Sequence, residues 1–145
     1  MFLVRKAKAL FEKYKSDKFL GVDLHIKYMI KYGLSKPQPN SFDKTAYEVA
    51  CWLHDIGRYH PEDDLKYRRK HHVLGAKVYD KRFANYVKNT LRSEKIRLCI
   101  FEHSGIKPSK NYPEIKTIQE ADRVSFMHPA FIKTGNQKRQ TRFSR

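Results

Sequence analysis

Apolar residues recur every three to four positions through most of the chain, and this spacing constrains the fold more than any other feature. Near the N terminus they stand at Val4, Ala7, Leu10, Phe11 and Tyr14, the pattern of a helix with one buried face. No segment shows the alternation of Val, Ile and Thr that is typical of a strand. The sequence therefore predicts an all-α protein, a compact bundle of about six helices.

The chain has 145 residues, of which 40% are apolar, and this predicts one folded domain with its own core. We assign residues 1–133 to that domain and residues 134–145 to a basic C-terminal tail that we expect to be flexible. No apolar run reaches the ~20 residues of a membrane span, and Met1–Arg5 is too short for a secretory signal. With Cys51 and Cys99 expected as buried free thiols, we expect a cytoplasmic protein without a membrane partner.

Positive charge is concentrated in the second half of the chain. The formal net charge is +16, and residues 65–100, in which we predict a long basic helix over 65–86, carry 11 basic and 2 acidic residues. A field of this sign attracts phosphate-bearing partners, including nucleic acid bound through residues 65–100 and the tail. The alternative is a Lys-rich surface that is merely solvated.

A helical pattern over residues 43–56 ends with the adjacent pair His54-Asp55, and Gly57 suits the position that ends a helix. More imidazoles and carboxylates follow helical patterns elsewhere in the chain, at His25, His72, His103 and Asp122. These side chains are ligands for divalent cations, and two such ions can clamp a phosphoryl group. Because the set contains no thiol, a structural zinc finger is disfavoured.

These motifs resemble those of the HD-domain metal-dependent phosphohydrolases. The resemblance covers roughly residues 20–127, and residues 1–133 would then form an HD-type metal-binding domain. It rests on His25 followed by four further motifs: Leu53-His54-Asp55-Ile56-Gly57-Arg58, His72-Val73-Leu74-Gly75-Ala76, Phe101-Glu102-His103-Ser104 and Glu120-Ala121-Asp122-Arg123. The order His, His-Asp, His, His, Asp is that of the family's binuclear version.

The resemblance implies a site for one or two divalent ions, which could be Mn, Fe, Co, Ni, Zn or Mg. One ion would be held by His25, His54, Asp55 and Asp122, the other by His72 and His103, with Asp55 as the bridge. A metal-activated hydroxide would then attack phosphorus, so Asp55 is a catalytic candidate.

Two assignments within this set have a named alternative. His71 is the rival of His72, and the Gly75-Ala76 pair three residues on favours His72. Arg58 is the second catalytic candidate because it stands where the family often has Lys, and its guanidinium suits a phosphate. The alternative for Arg58 is a salt bridge to the acidic residues 62–64.

The resemblance implies a hydrolase of phosphate esters or anhydrides, with a phosphorylated small molecule, a nucleotide, as the expected substrate. Arg58 stands where a branch specific for deoxynucleoside monophosphates usually has Glu, which argues against that branch. Two other classes remain open. One is an HD-type nuclease or nucleic-acid-binding protein that uses the basic surface, and the other is a di-iron HD-type oxygenase.

Overall fold

A computed structural model of the chain describes residues 1–15, 21–59, 70–105 and 107–125. These residues form helices and connecting turns with no strand, so the prediction of an all-α fold is confirmed. In chain order the helices are α1 (Phe2–Tyr14), α2 (Val22–Ser35), α3 (Lys44–Leu53), α4 (Ile56–Tyr59), α5 (His71–Arg82), α6 (Thr90–Glu102) and α7 (Pro113–Ser125), with a single 3₁₀ turn at Ala84–Tyr86 between α5 and α6.

Helix α3 is the centre of the bundle. From Val49 to Leu53 every residue is buried, so the C-terminal half of this helix is apolar around its whole circumference, as expected for a helix enclosed by others. It packs against α1, α2, α6 and α7. Cys51 is buried on α3 and Cys99 on α6, both as free thiols, as predicted. The C-terminal end of this central helix therefore lies in the interior of the protein.

Short polar side chains cap the starts of two helices. The carboxylate of Asp43 accepts a hydrogen bond from the Ala46 amide at 3.0 Å, and the side chain of Asn89 accepts one from the Arg92 amide at 2.9 Å. Such caps satisfy amides that have no partner within the helix. They begin α3 and α6, the two helices whose C-terminal ends carry His54 and His103.

Two helix boundaries differ from those predicted. Helix α3 ends at Leu53, His54 and Asp55 form a turn, and Gly57 lies within the short helix α4 rather than ending α3. Helix α5 begins at His71, because Lys70 has a non-helical backbone, and it ends at Arg82. The predicted helix over 65–86 is therefore too long at its C-terminal end; residues 65–69 lie outside the described residues.

No helix among the described residues has the length and apolar character needed to cross a bilayer. The predicted C-terminal tail, residues 134–145, lies outside the described residues. The same holds for the acidic residues 62–64, which were the alternative partner of Arg58.

Candidate metal centre

Six side chains from five parts of the bundle meet in its interior. His25 comes from α2, His54 and Asp55 from the turn between α3 and α4, His71 from the first position of α5, His103 from the residue after α6, and Asp122 from α7. We call these six residues the His–Asp cluster. Five were named as candidates from the sequence, and the sixth is His71 in place of His72. Asp122 is partly exposed at 14%, whereas the other five are buried.

The first half of the cluster is a triangle of three ligand atoms. His25 Nε2 lies 3.3 Å from His54 Nε2 and 3.0 Å from Asp122 Oδ1. The third side, from His54 Nε2 to Asp122 Oδ1, measures 3.4 Å. Three groups that can all accept a proton or a cation thus point at one another.

The second half repeats this arrangement with three other atoms. His71 Nε2 lies 3.4 Å from His103 Nε2 and 3.4 Å from Asp55 Oδ1, and His103 Nε2 lies 3.2 Å from Asp55 Oδ1. The other oxygen of this carboxylate, Asp55 Oδ2, is 3.5 Å from His54 Nε2 in the first triangle. Asp55 therefore joins the two triangles through its two oxygens.

The backbone fixes which nitrogen of each ring faces inward. His54 Nδ1 lies 2.7 Å from the Cys51 carbonyl, and His103 Nδ1 lies 2.8 Å from the Ile100 carbonyl. A carbonyl oxygen only accepts, so Nδ1 is the protonated nitrogen and the Nε2 of a neutral ring carries the lone pair. Both rings are thereby held with a ligand lone pair aimed into the cluster.

His25 is oriented by a side chain instead. The buried hydroxyl of Ser125 donates to the Asp122 carbonyl at 3.1 Å and accepts from His25 Nδ1. His25 Nε2 is therefore also left as an acceptor toward His54 and Asp122. Sequence reasoning did not name Ser125, although its position three residues after Asp122, one helical turn further on, was the available signal.

Titration behaviour differs between the triangles. Burial alone would lower the pKa of His54, but the charges of Asp55 and Asp122 outweigh it and the pKa is raised. Burial would raise the pKa of Asp122, but its close contacts with the imidazoles of His25 and His54 hold that pKa well below its usual range. In the second triangle, burial lowers the pKa of His71 to about 4 against the opposing effect of Asp55. A proton thus competes with a metal ion for the first triangle, while His71 is neutral near pH 7.

Two helix ends add to the attraction for cations. His54 directly follows the last residue of α3, and His103 directly follows the last residue of α6. The C-terminal end of a helix carries a partial negative charge of about half an elementary charge. Together with the carboxylates Asp55 and Asp122, these ends make the interior of the cluster electronegative.

The donor set fits a divalent metal. Ligand atoms about 2.0–2.1 Å from a tetrahedrally coordinated ion are about 3.3 Å apart, and the sides of both triangles measure 3.0 to 3.4 Å. Each triangle offers two imidazoles and one carboxylate, which favours a transition metal over Mg or Ca. The cluster could therefore hold metal ions in both triangles.

The expectation that His72 joins the cluster is not met. His72 is only half-buried, and its ring packs against Phe101 at 5.3 Å between centroids. His71 takes the inward position because α4 and α5 touch through their backbones: a Cβ on Gly57 would lie 2.1 Å from the His71 carbonyl oxygen and 2.7 Å from the Gly75 amide. Gly75 is four residues after His71 and lies on the same helix face, so the glycine that suggested His72 belongs with His71.

Arg58 lies at the edge of the cluster. Its Nε is 3.3 Å from Asp55 Oδ1, and its side chain is 19% exposed. The guanidinium has five N–H donors, of which this contact uses one. Arg58 thus places a fixed positive charge between solvent and the carboxylate that joins the two triangles.

The helical bundle and its buried cluster of His and Asp side chains are features of helical proteins that can hold a metal ion. A family model described as the HD domain matches residues 8–127. The chain therefore belongs to the HD-domain family, the superfamily of metal-dependent phosphohydrolases that its motifs resemble. Comparisons with curated proteins and with solved structures gave no significant match.

Proposed function

We propose that this protein is a binuclear metal-dependent phosphohydrolase that releases phosphate from a nucleotide or a similar phosphate compound. The observation that carries the proposal is the pair of acceptor triangles joined by Asp55. Membership of the HD-domain family supports the hydrolase class. His71, rather than His72, completes the second triangle.

In this proposal His25, His54 and Asp122 hold one ion, and His71 and His103 hold the other. Asp55, whose two carboxylate oxygens face the two triangles, would contribute to holding both ions. Metal ions held by these residues would supply a hydroxide nucleophile near neutral pH and would neutralise charge on the phosphate. The carboxylate of Asp122 is kept ionised, and the imidazoles of the cluster present Nε2 inward, so no side chain needs to reorient before substrate arrives.

Arg58 is the proposed phosphate contact. Its contact with Asp55 holds the side chain beside the cluster, and its remaining N–H groups can bind phosphate oxygens in pairs. The negative charge that develops on the phosphoryl group would then lie between Arg58 and the cluster. The positive charge of residues 65–100 raises the local concentration of a phosphorylated substrate.

The experiment combines metal content with a substrate panel. The purified chain is analysed for bound metal by plasma mass spectrometry, then assayed for phosphate release from nucleoside mono-, di- and triphosphates with Mn, Fe, Co, Ni, Zn or Mg. We expect up to two transition-metal ions per chain and release of phosphate from at least one nucleotide. A chain that binds no metal and turns over no substrate with any ion would refute the proposal.

The same preparation separates the other two classes. Cleavage of single-stranded RNA or DNA without release of phosphate from nucleotides would indicate a nuclease. Consumption of dioxygen by protein loaded with iron under anaerobic conditions would indicate a di-iron oxygenase. The transition-metal preference of both triangles is common to all three, so substrate turnover is the measurement that decides.

A further inference from the structure

A cavity of about 300 Å³ lies beside the second triangle of the His–Asp cluster. It is lined by residues from the start of α5, the end of α6 and the turn after α6: His72, Phe101, Glu102, Ser104, Gly105 and Lys107. Small-molecule sites range from about 300 to 1,000 Å³. This cavity is therefore large enough for one small group of a substrate rather than for a whole extended molecule.

An exposed aromatic ring forms one wall of the cavity. Phe101 is 37% exposed, although neighbouring positions on α6 are buried in the core. Its ring contacts that of His72 at 5.3 Å between centroids and a tilt of 58°. Two exposed aromatics elsewhere, Phe2 and Tyr86, contact each other edge to face at 6.0 Å between centroids, whereas Phe101 lines the cavity together with polar residues.

The cavity and the cluster are built from adjacent residues of the chain. His72 follows the cluster residue His71, with 5.9 Å between their ring centroids, and Ser104 follows the cluster residue His103. A group bound against Phe101 and a phosphate bound at the cluster are thus close enough to belong to one molecule. The side chains of Ser104, Glu102 and Lys107 add hydrogen-bonding groups around the ring of Phe101.

We infer that this cavity is the subsite for an aromatic group of the substrate, a nucleobase stacked on Phe101 and bordered by His72. The inference rests on the proposed function, because the phosphate of the same molecule is taken to bind at the His–Asp cluster. A planar ring suits the aromatic side chain of Phe101 in the cavity wall, and polar base edges suit the groups around it. The substrate class is accordingly a nucleotide rather than a sugar phosphate or inorganic polyphosphate.

The test compares substrates that differ only in carrying a nucleobase. Metal-loaded full-length protein is assayed with the better of AMP and UMP against ribose 5-phosphate, and with ATP against inorganic tripolyphosphate. We expect kcat/KM to favour the base-carrying compound about tenfold or more, in line with stacking on one aromatic side chain. In Phe101→Ala this preference should fall close to one, and Phe101→Tyr should restore most of it. Tyr86→Ala, which removes an exposed ring elsewhere, is the matched control.

A second measurement does not depend on turnover. Binding of adenosine and uridine, which carry no phosphate, is followed by saturation-transfer NMR in wild type and Phe101→Ala. Signal in wild type and its loss in the variant support the inference, while equal signals overturn it, as does an unchanged substrate preference in Phe101→Ala. Absence of turnover with every compound would instead count against the proposed hydrolase, and nucleoside binding would still decide whether the cavity takes a base.

Discussion

Two buried polar groupings among the residues that the structure describes differ in what they need to be stable. In the His–Asp cluster, ligand atoms of the same kind face one another, with His25 Nε2 only 3.3 Å from His54 Nε2. In the second grouping, the ammonium of Lys95, a residue that is only 4% exposed, lies 2.8 Å from the carboxylate of the fully buried Glu114. One grouping collects acceptors, and the other pairs opposite charges.

The excess of acceptors in the His–Asp cluster is typical of a binding site, whereas the Lys95–Glu114 ion pair is a structural contact between helices. Lys95 also donates to the Ser41 carbonyl at 2.7 Å, and Glu114 accepts from the Asp43 amide at 2.5 Å. These contacts fasten α6 and α7 to the start of α3 without any ligand, although Glu114 Oε1 is buried with no hydrogen-bond partner among the described residues. The cluster, by contrast, has more inward acceptors than donors, so it needs a proton or a metal ion to be stable.

Replacing the carboxylate that joins the triangles should have the largest effect on activity. Asp55→Asn keeps the shape of the side chain but should weaken the binding of both ions at once. Because metal ions lower the activation free energy by several kcal/mol, we expect phosphatase activity to fall about 10³-fold or more. Metal content measured by plasma mass spectrometry should fall with it. Stability of the metal-free variant should change less than in any Glu114 variant. Retention of both ions and of activity in Asp55→Asn would contradict the bridging role.

In the Lys95–Glu114 ion pair we expect a loss of stability rather than a loss of metal binding. Glu114→Ala leaves the ammonium of Lys95 buried without its counter-ion, which should lower the free energy of unfolding by about 3–5 kcal/mol. Denaturant unfolding with and without Glu114→Ala measures this loss. In the folded fraction, metal stoichiometry should match wild type. A Glu114 variant that unfolds like wild type but loses metal would contradict the purely structural role of this ion pair.

The neighbours His71 and His72 offer a test within a single turn of helix. His71→Ala should weaken binding of one of two ions by about 100-fold or more, because even outer contacts to metal ligands contribute about 10–100-fold. His72→Ala should leave both affinities close to wild type, since its ring faces Phe101. Titration with a metal-competing chromophore measures both. Weaker metal binding in His72→Ala than in His71→Ala would restore the assignment made from sequence.

The smallest of these effects should come from the backbone contact that sets the position of His71. A methyl group at residue 57 would collide with the His71 carbonyl, and such overpacking costs about 1–3 kcal/mol of stability. Thermal unfolding of Gly57→Ala measures the cost, and its metal titration should show weakening confined to the second triangle. Gly105→Ala is the matched control, because a Cβ there would meet its nearest atom at an ordinary 3.5 Å. Equal stability of both variants would argue against the close approach of α4 and α5.

Much of this could be predicted because the signals are local. The helical period of the apolar residues predicted the fold class. The sequence motifs predicted five of the six residues that meet in the cluster: His25, His54, Asp55, His103 and Asp122. Their roles as ligands remain predictions. The spacing of α3 also anticipated that His54 and Asp55 lie at a helix end, although not that the helix stops before them.

What could not be predicted depends on contacts between helices. The choice between His71 and His72 is decided by the approach of Gly57 on α4 to the first turn of α5, and these residues are more than ten positions apart in the sequence. The contact between Ser125 and His25 depends on the packing of α2 against α7. Residue spacing within one helix places Ser125 one turn after Asp122, but it does not specify a contact with His25 on another helix.

The placement of His54 and His103 just beyond the ends of α3 and α6 has a consequence for local motion. Each ring is held by a carbonyl in the last turn of its own helix, so unwinding that turn releases the ring. Local unfolding of these two helix ends should therefore be coupled to dissociation of a metal ion. Metal should accordingly slow amide hydrogen exchange most in the final turns of α3 and α6, far more than at their capped starts.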